Sequence, residues 1–183
     1  MRIKLESHFI LGCRPYKGQP GYRHQTAVQL QESLNASKAG GFRLYEIVQI
    51  RYNLLIREME PEMFPLCQRE GMAVCAYSPI GAGFLTGKST PDRSQILFNS
   101  RFSIAPWHAD EYLTDRNSRV LDLFREKSAE VGVPIIRLAM AWAMTHPTVT
   151  AVLIGARTPE HIDNVLAAHK MGMDPELRYE MST

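Results

Sequence analysis

The sequence predicts an α/β fold built on parallel strands, and three observations carry the prediction. Short apolar runs alternate with helical patterns from about residue 42 onward. The runs at 72–77 and 150–154 hold almost no polar side chains, as expected of parallel strands buried on both faces. The helices between them tend to open near proline and stop at glycine. The order is strand, helix, strand, helices, strand, helix, which implies right-handed crossovers.

Taken in order, Phe9 to Gly12 reads as an early strand. Residues 14–23 hold Pro15, Pro20, Gly18 and Gly21 among basic residues and read as loop. Residues 25–39 are helix-like, with Ala27, Leu30 and Leu34 on one face and Gly40-Gly41 at the end. Residues 46–52 are rich in β-branched side chains and read as a strand. Residues 61–70 read as a helix with Pro61 near its start and Gly71 as a left-handed stop. The strand at 72–77 follows, then a long irregular connection over 89–115.

Helical spacing returns over 116–131 through Val120, Phe124 and Val131, and Gly132-Val133-Pro134 breaks it. Ile135, Leu138, Ala139 and Trp142 obey the i, i+3, i+4, i+7 rule, with Pro134 in the first turn. Residues 150–154 form a third buried strand. Thr158 is placed to cap the last helix, Pro159 opens it, and Ile162, Val165 and Leu166 form its inner face.

Composition narrows the class of function. A chain of 183 residues is long enough for one domain with a real core. A net charge of +2 gives no general pull toward nucleic acid or membrane. No apolar run is long enough to span a bilayer, and the N-terminal apolar stretch is too short and broken for a signal peptide. Cys13, Cys67 and Cys75 lack metal-ligand spacing and suit a reducing cytoplasm, so neither a metal nor a disulfide framework is expected.

Ligands of parallel α/β proteins bind at the C-terminal ends of the strands, and three such ends carry chemistry. At the first, Gln49 lies near Tyr52 and Asn53. A glutamine can read a primary amide by donating and accepting at once, or it can simply be tied to backbone. At the second, Tyr77 precedes Ser78, Ile80, Gly81, Gly83, Thr86, Gly87 and Lys88. The tyrosine offers a stacking face, and glycines let N–H groups approach a phosphate, or the stretch is an ordinary turn. At the third, Gly155-Ala-Arg157 runs into a helix start that offers unpaired N–H groups and a positive dipole end. Arg157 can fork onto a phosphate or face solvent.

Weaker candidates surround these. The six histidines show no metal spacing and read as surface or packing groups, apart from His161 in the first turn of the last helix. Trp142 reads as packing, as does Trp107 unless it lines a pocket from the long connection. Arg101 and Phe102 lie in the same connection, and the run Glu58, Glu60, Glu62 reads as a solvated helix start.

Together these stretches resemble the C-terminal half of the aldo-keto reductases, over about residues 45–168. The resemblance rests on Val48-Gln-Ile-Arg-Tyr-Asn-Leu-Leu-Ile-Arg-Glu58, on Ala76-Tyr-Ser-Pro-Ile-Gly-Ala-Gly-Phe-Leu-Thr-Gly-Lys88, on Leu138-Ala-Met-Ala-Trp142 and on Val152-Leu-Ile-Gly-Ala-Arg-Thr-Pro-Glu-His161, in that order. Its style is that of the bacterial and channel-β-subunit-like branch.

The resemblance implies a partial TIM (β/α)8 barrel, roughly its strands 5–8 with their helices. Within it, 1–42 match poorly, 43–170 form the cofactor-binding half and 171–183 form a tail. It further implies NADPH and the reduction of aldehydes and ketones. Gln49 would meet the nicotinamide carboxamide and Tyr77 would stack under the ring. Ser78, Ile80, Gly83, Thr86 and Lys88 would follow the pyrophosphate. Gly155, Ala156, Arg157, His161 and Asn164 would surround the adenosine 2′-phosphate and adenine, with Arg157 favouring NADPH over NADH.

Two departures accompany the likeness. The family's Ser-Asn pair has no counterpart after Gly12-Cys13, where Arg14-Pro15 follow, and Val165 replaces an asparagine. No residue matches the family's catalytic aspartate, tyrosine, lysine and histidine, so no catalytic residue is assigned. A whole barrel takes about 250 residues. The expectation is therefore a truncated barrel that turns over a small carbonyl substrate only when completed by a first half, and that self-associates through exposed barrel edges. A non-catalytic NADPH-binding scaffold subunit and a non-functional remnant are the alternatives.

Overall fold

The computed structural model describes residues 10–12, as backbone, and 25–182. The predicted loop at 14–23, Cys13 and the missing Ser-Asn pair lie outside them.

Four parallel strands stand in sequence order: β1 (Ile10–Gly12), β2 (Ile47–Arg51), β3 (Ala73–Tyr77) and β4 (Val149–Leu153). Between β1 and β2 runs α1 (Ala27–Ala39), which starts on a capping box of Thr26 and Gln29. Leu30 and Leu34 face the core from it, as the spacing predicts. Between β2 and β3 runs α2 (Met63–Arg69), and Gly71 follows with a φ of 67°, the left-handed stop that only glycine adopts without strain.

The connection from β3 to β4 is the longest. It holds 3-10 turns over Gly81–Thr86, then α3 (Arg101–Ile104), α4 (Trp107–Tyr112), α5 (Asp115–Glu130) and α6 (Ile135–Met144). The stretch predicted as irregular thus contains two short helices and a further 3-10 turn at Arg93–Gln95. They are too short to show a helical period. After β4 come α7 (Pro159–Met171) and α8 (Pro175–Glu180).

The core lies between one face of the sheet and the helices. Val48, Ile50, Tyr52, Val74 and Ala76 point into it and pack with Leu138, Trp142 and Phe64. The opposite face carries Gln49, Cys75, Tyr77, Ala151 and Leu153 and is partly open. Two expectations fail here. β3 is buried on one face only, and β4 is largely exposed, with Leu153 at 45%. An apolar run shows that a strand needs cover; it does not show that a neighbour on each side supplies it. Ile162 and Leu166 of α7 are likewise exposed at 39% and 54%, and the helix turns Ala168 inward instead.

The segment expected as a tail is packed. Arg178 of α8 donates to the Tyr52 hydroxyl at 2.8 Å and lies 4.6 Å from the centre of the Trp142 ring. Arg57 reaches the same ring and the Ser182 carbonyl. Glu60 is no solvated helix start, because it accepts from Tyr52 at 2.6 Å and pairs with Arg57.

Candidate functional site

The parallel register brings the three strand ends side by side. Gln49 pairs with Cys75 and Arg51 with Tyr77 across β2 and β3, and Cys75 and Tyr77 pair with Ala151 and Leu153 across β3 and β4. Paired residues share a face, so Gln49 and Tyr77 occupy the same open face one row apart. With strands about 4.8 Å apart, the first and third ends are about 10 Å from one another.

At the first end Gln49 is half-buried, and its amide bonds to no other described residue. The tie to backbone that most buried glutamines make is absent there. Tyr52 and Asn53 leave the site. Tyr52 is fully buried on the core face. Asn53 is spent on structure: it donates to the Ser78 carbonyl at 3.0 Å and to Tyr112, and accepts from Leu55 and Ile56.

The second end is a compact loop. Ser78 and Ala82 adopt φ values of 59° and 55°, Gly81 56° and Gly83 98°. Glycine at 81 has a packing reason too, since a Cβ there would meet the Tyr112 ring at 2.9 Å. The N–H groups of Gly81, Gly83, Leu85 and Gly87 bond to carbonyls within the loop, and that of Ala82 bonds to Ser78 Oγ. These amides are therefore not aimed at an anion. Side chains are left to meet one, chiefly the exposed Lys88. Arg125 donates to the Gly87 carbonyl at 2.7 Å and fixes the loop's exit.

At the third end Gly155, Ala156 and Arg157 are all exposed. Thr158 stands at the N-cap of α7, but its side chain accepts no capping bond. The local bond runs instead from the Arg157 N–H to His161 Nδ1 at 3.1 Å. Asn164 accepts from Arg137 Nε at 2.9 Å and donates to the Glu160 carbonyl. Val165 is half-buried beside α6.

Sequence reasoning missed Arg51. It is a charged residue in an apolar strand, two positions from Gln49 and therefore on the same face, and that was the available signal. The residue is 7% exposed, and its guanidinium forks onto Glu111 of α4. Burial works against its charge, and the Glu111 carboxylate more than restores it. His108 sits one turn before Glu111. Burial, with Arg101 and Arg51 nearby, pushes its pKa down, against the pull of Glu111. Among the described residues no cluster of His, Cys, Asp and Glu could hold a metal ion, and no helix is long and apolar enough to cross a membrane.

The profile of the aldo/keto reductase family matches residues 25–177. This chain belongs to the aldo/keto reductase family. Its likeness extends to curated members of that family. A versiconal hemiacetal acetate reductase of Aspergillus parasiticus is 27% identical over 157 residues, which cover 85% of this chain and 45% of that protein. An NADH-specific methylglyoxal reductase of Escherichia coli is 30% identical over 143 residues, 75% of this chain and 42% of the relative. A probable voltage-gated potassium channel subunit beta of Oryza sativa is 32% identical over 119 residues, 63% and 36%. The chain thus spans less than half the length of these three relatives. Four parallel strands with helices on one face are what part of a family barrel looks like.

Proposed function

We propose that this chain is the nicotinamide-nucleotide-binding part of an aldo-keto reductase, with NADPH as cofactor. The observation that carries the reading is the shared open face of Gln49 and Tyr77 at adjacent strand ends, with the Gln49 amide uncommitted among the described residues. A buried-edge glutamine with both donor and acceptor available suits a carboxamide, and the half-buried Tyr77 ring beside it suits a planar heterocycle.

The remaining residues are assigned along the rest of the cofactor by the family likeness. Ser78, Ile80, Gly83, Thr86 and Lys88 follow the pyrophosphate, with Lys88 supplying charge. Gly155, Ala156, Arg157, His161 and Asn164 surround the adenosine end, and the exposed Arg157 guanidinium offers a fork for a 2′-phosphate. This last point favours NADPH, although one relative is named for NADH.

Bound NADPH supplies a hydride to an aldehyde or ketone carbonyl. The chain's own residues hold and orient that cofactor. The proton donor to the carbonyl oxygen must lie within hydrogen-bond reach of it, and no residue of the chain is assigned that role. Turnover of a small carbonyl substrate therefore requires the complementary half of a barrel, seated in the cytoplasm against the open face and the exposed β4 edge. That same edge gives isolated chains a surface for self-association.

A second reading is favoured by the likeness to channel β subunits: NADPH binding without turnover, in an assembly with another chain. Titration with NADPH and NADH, followed by an assay with a simple aldehyde, tests both. Tight NADPH binding with reduction only after addition of a first-half barrel supports the enzyme. Binding with no turnover in any assembly supports the scaffold, and no nucleotide binding removes both.

A further inference from the structure

The sheet has two edges of different kinds. Its four strands run parallel in the order β1-β2-β3-β4, so among the described residues β1 has a neighbour only in β2, and β4 only in β3. An edge strand presents N–H and C=O groups that another strand can pair. The β4 edge is where a further parallel strand would come next. The β1 edge is where a parallel strand would come before.

The helices say which strand belongs beside β4. α2 follows β2 and packs on β3, and α6 closes the β3–β4 connection and packs on β4. Each leans on the strand after it, in keeping with right-handed crossovers. α7 follows β4, and no described strand comes after it. It rests on α6, while its Ile162 and Leu166 stand exposed one turn apart, with Leu153 on β4 and Ile154 just past it exposed as well. That surface fits over a parallel strand whose own helix lies farther on in the same direction. β1 with α1 is such a strand and such a helix.

We propose that two copies of this chain close one eight-stranded barrel, with β4 of each beside β1 of the other. The inference rests on the partial-barrel reading and deepens the self-association given above, because it names the occupant and the joint. Four parallel strands are half of the eight at which a βα barrel closes. A two-fold axis along the barrel keeps all eight strands parallel and makes the two joints identical. It leaves no edge free, so assembly stops at the dimer. The open faces turn inward, where eight strands leave room for side chains and little more. Gln49 and Tyr77 of both copies lie toward one mouth of that barrel. A second copy and a complementary half take the same edge, so each excludes the other.

Sedimentation equilibrium of the full chain tests this, joined to hydrogen exchange above and below the concentration at which copies associate. The closed barrel predicts monomer and dimer with no larger species. In the dimer, amides of both 10–12 and 149–153 exchange about tenfold more slowly than in the monomer, because both edges are paired. Leu166→Asp, at an exposed position, weakens the dimer about tenfold or more by placing an unpaired charge in the joint. Val28→Asp, exposed too but in the groove between α1 and α2, leaves it unchanged, and melts show that both variants fold. A monomer at every concentration, or an open-ended series of oligomers, overturns the closure. So does a dimer in which only 149–153 gains protection, which is β4 paired with β4. The nucleotide reading stands or falls separately, on whether NADPH binds.

Discussion

Arg51 and Glu111 meet as a fork, with Nη1 to Oε2 and Nη2 to Oε1 both at 2.6 Å. The pair joins the end of β2 to α4 and so fixes that helix against the row that contains Tyr77. Removing the carboxylate takes the Glu111 partner from Arg51, a residue only 7% exposed. Because Glu111 itself is partly solvated, Glu111→Ala is expected to cost about 2–3 kcal/mol, somewhat below the range for a fully buried pair. Denaturant melts give the cost. Exchange protection over 105–113 should fall with it, while protection in α1 should not.

His146 makes the fold acid-sensitive. Its ring packs on Phe64 and Tyr52, with centroids 4.5 and 5.4 Å apart. Burial, then the nearby Arg178, pushes its pKa from 6.5 down to about 4, with Glu60 opposing. Between those values an unfolded histidine takes up a proton that the folded one refuses, so acid favours unfolding. The stability that neutral His146 contributes is whole above pH 6.5 and is lost as the pH falls through about 4. After discounting for partial exposure, the loss at pH 5 is of order 1 kcal/mol. His146→Phe should flatten that part of the stability–pH curve.

The cysteines report on the two faces of the sheet. Cys67 is fully buried, and burial pushes its thiol up to about 11, so it should resist alkylation until the protein unfolds. Cys75 lies on the open face beside Gln49 and is half-buried, with its pKa also raised by burial. It should react with iodoacetamide slowly, and faster as the pH rises toward 9. Saturating NADP⁺ should slow that reaction, as read by peptide mass mapping. An unchanged rate in the presence of bound nucleotide would place the ligand elsewhere.

What the sequence made legible was local. The face of α1 through Leu30 and Leu34 and the stop at Gly71 each follow from spacing or backbone sterics within a few residues, and the parallel sheet follows from the alternation of strands and helices. What it hid depends on distant partners. Arg51 and Glu111 are 60 residues apart, and Tyr52 and Arg178 are 126, so neither contact leaves a periodic trace. The run at 150–154 looked buried because its side chains are apolar, yet cover depends on neighbours that composition does not reveal. At the site, residue types pointed to three strand ends, which the register sets side by side. Only the register showed Gln49 and Tyr77 on one face and Tyr52 on the other. The glycines after Tyr77 suggested an amide cradle, and only the folded loop shows those amides turned to its own carbonyls.

The most direct measurement is a calorimetric titration of NADP⁺ into the chain and into its Tyr77→Ala and Gln49→Leu variants, with melts to show that each variant folds. A site on the open face predicts saturable one-to-one binding that weakens about tenfold in each variant, the scale of one lost stacking or hydrogen-bonded contact. Equal affinity in all three folded proteins, or no binding by the parent chain, would contradict it.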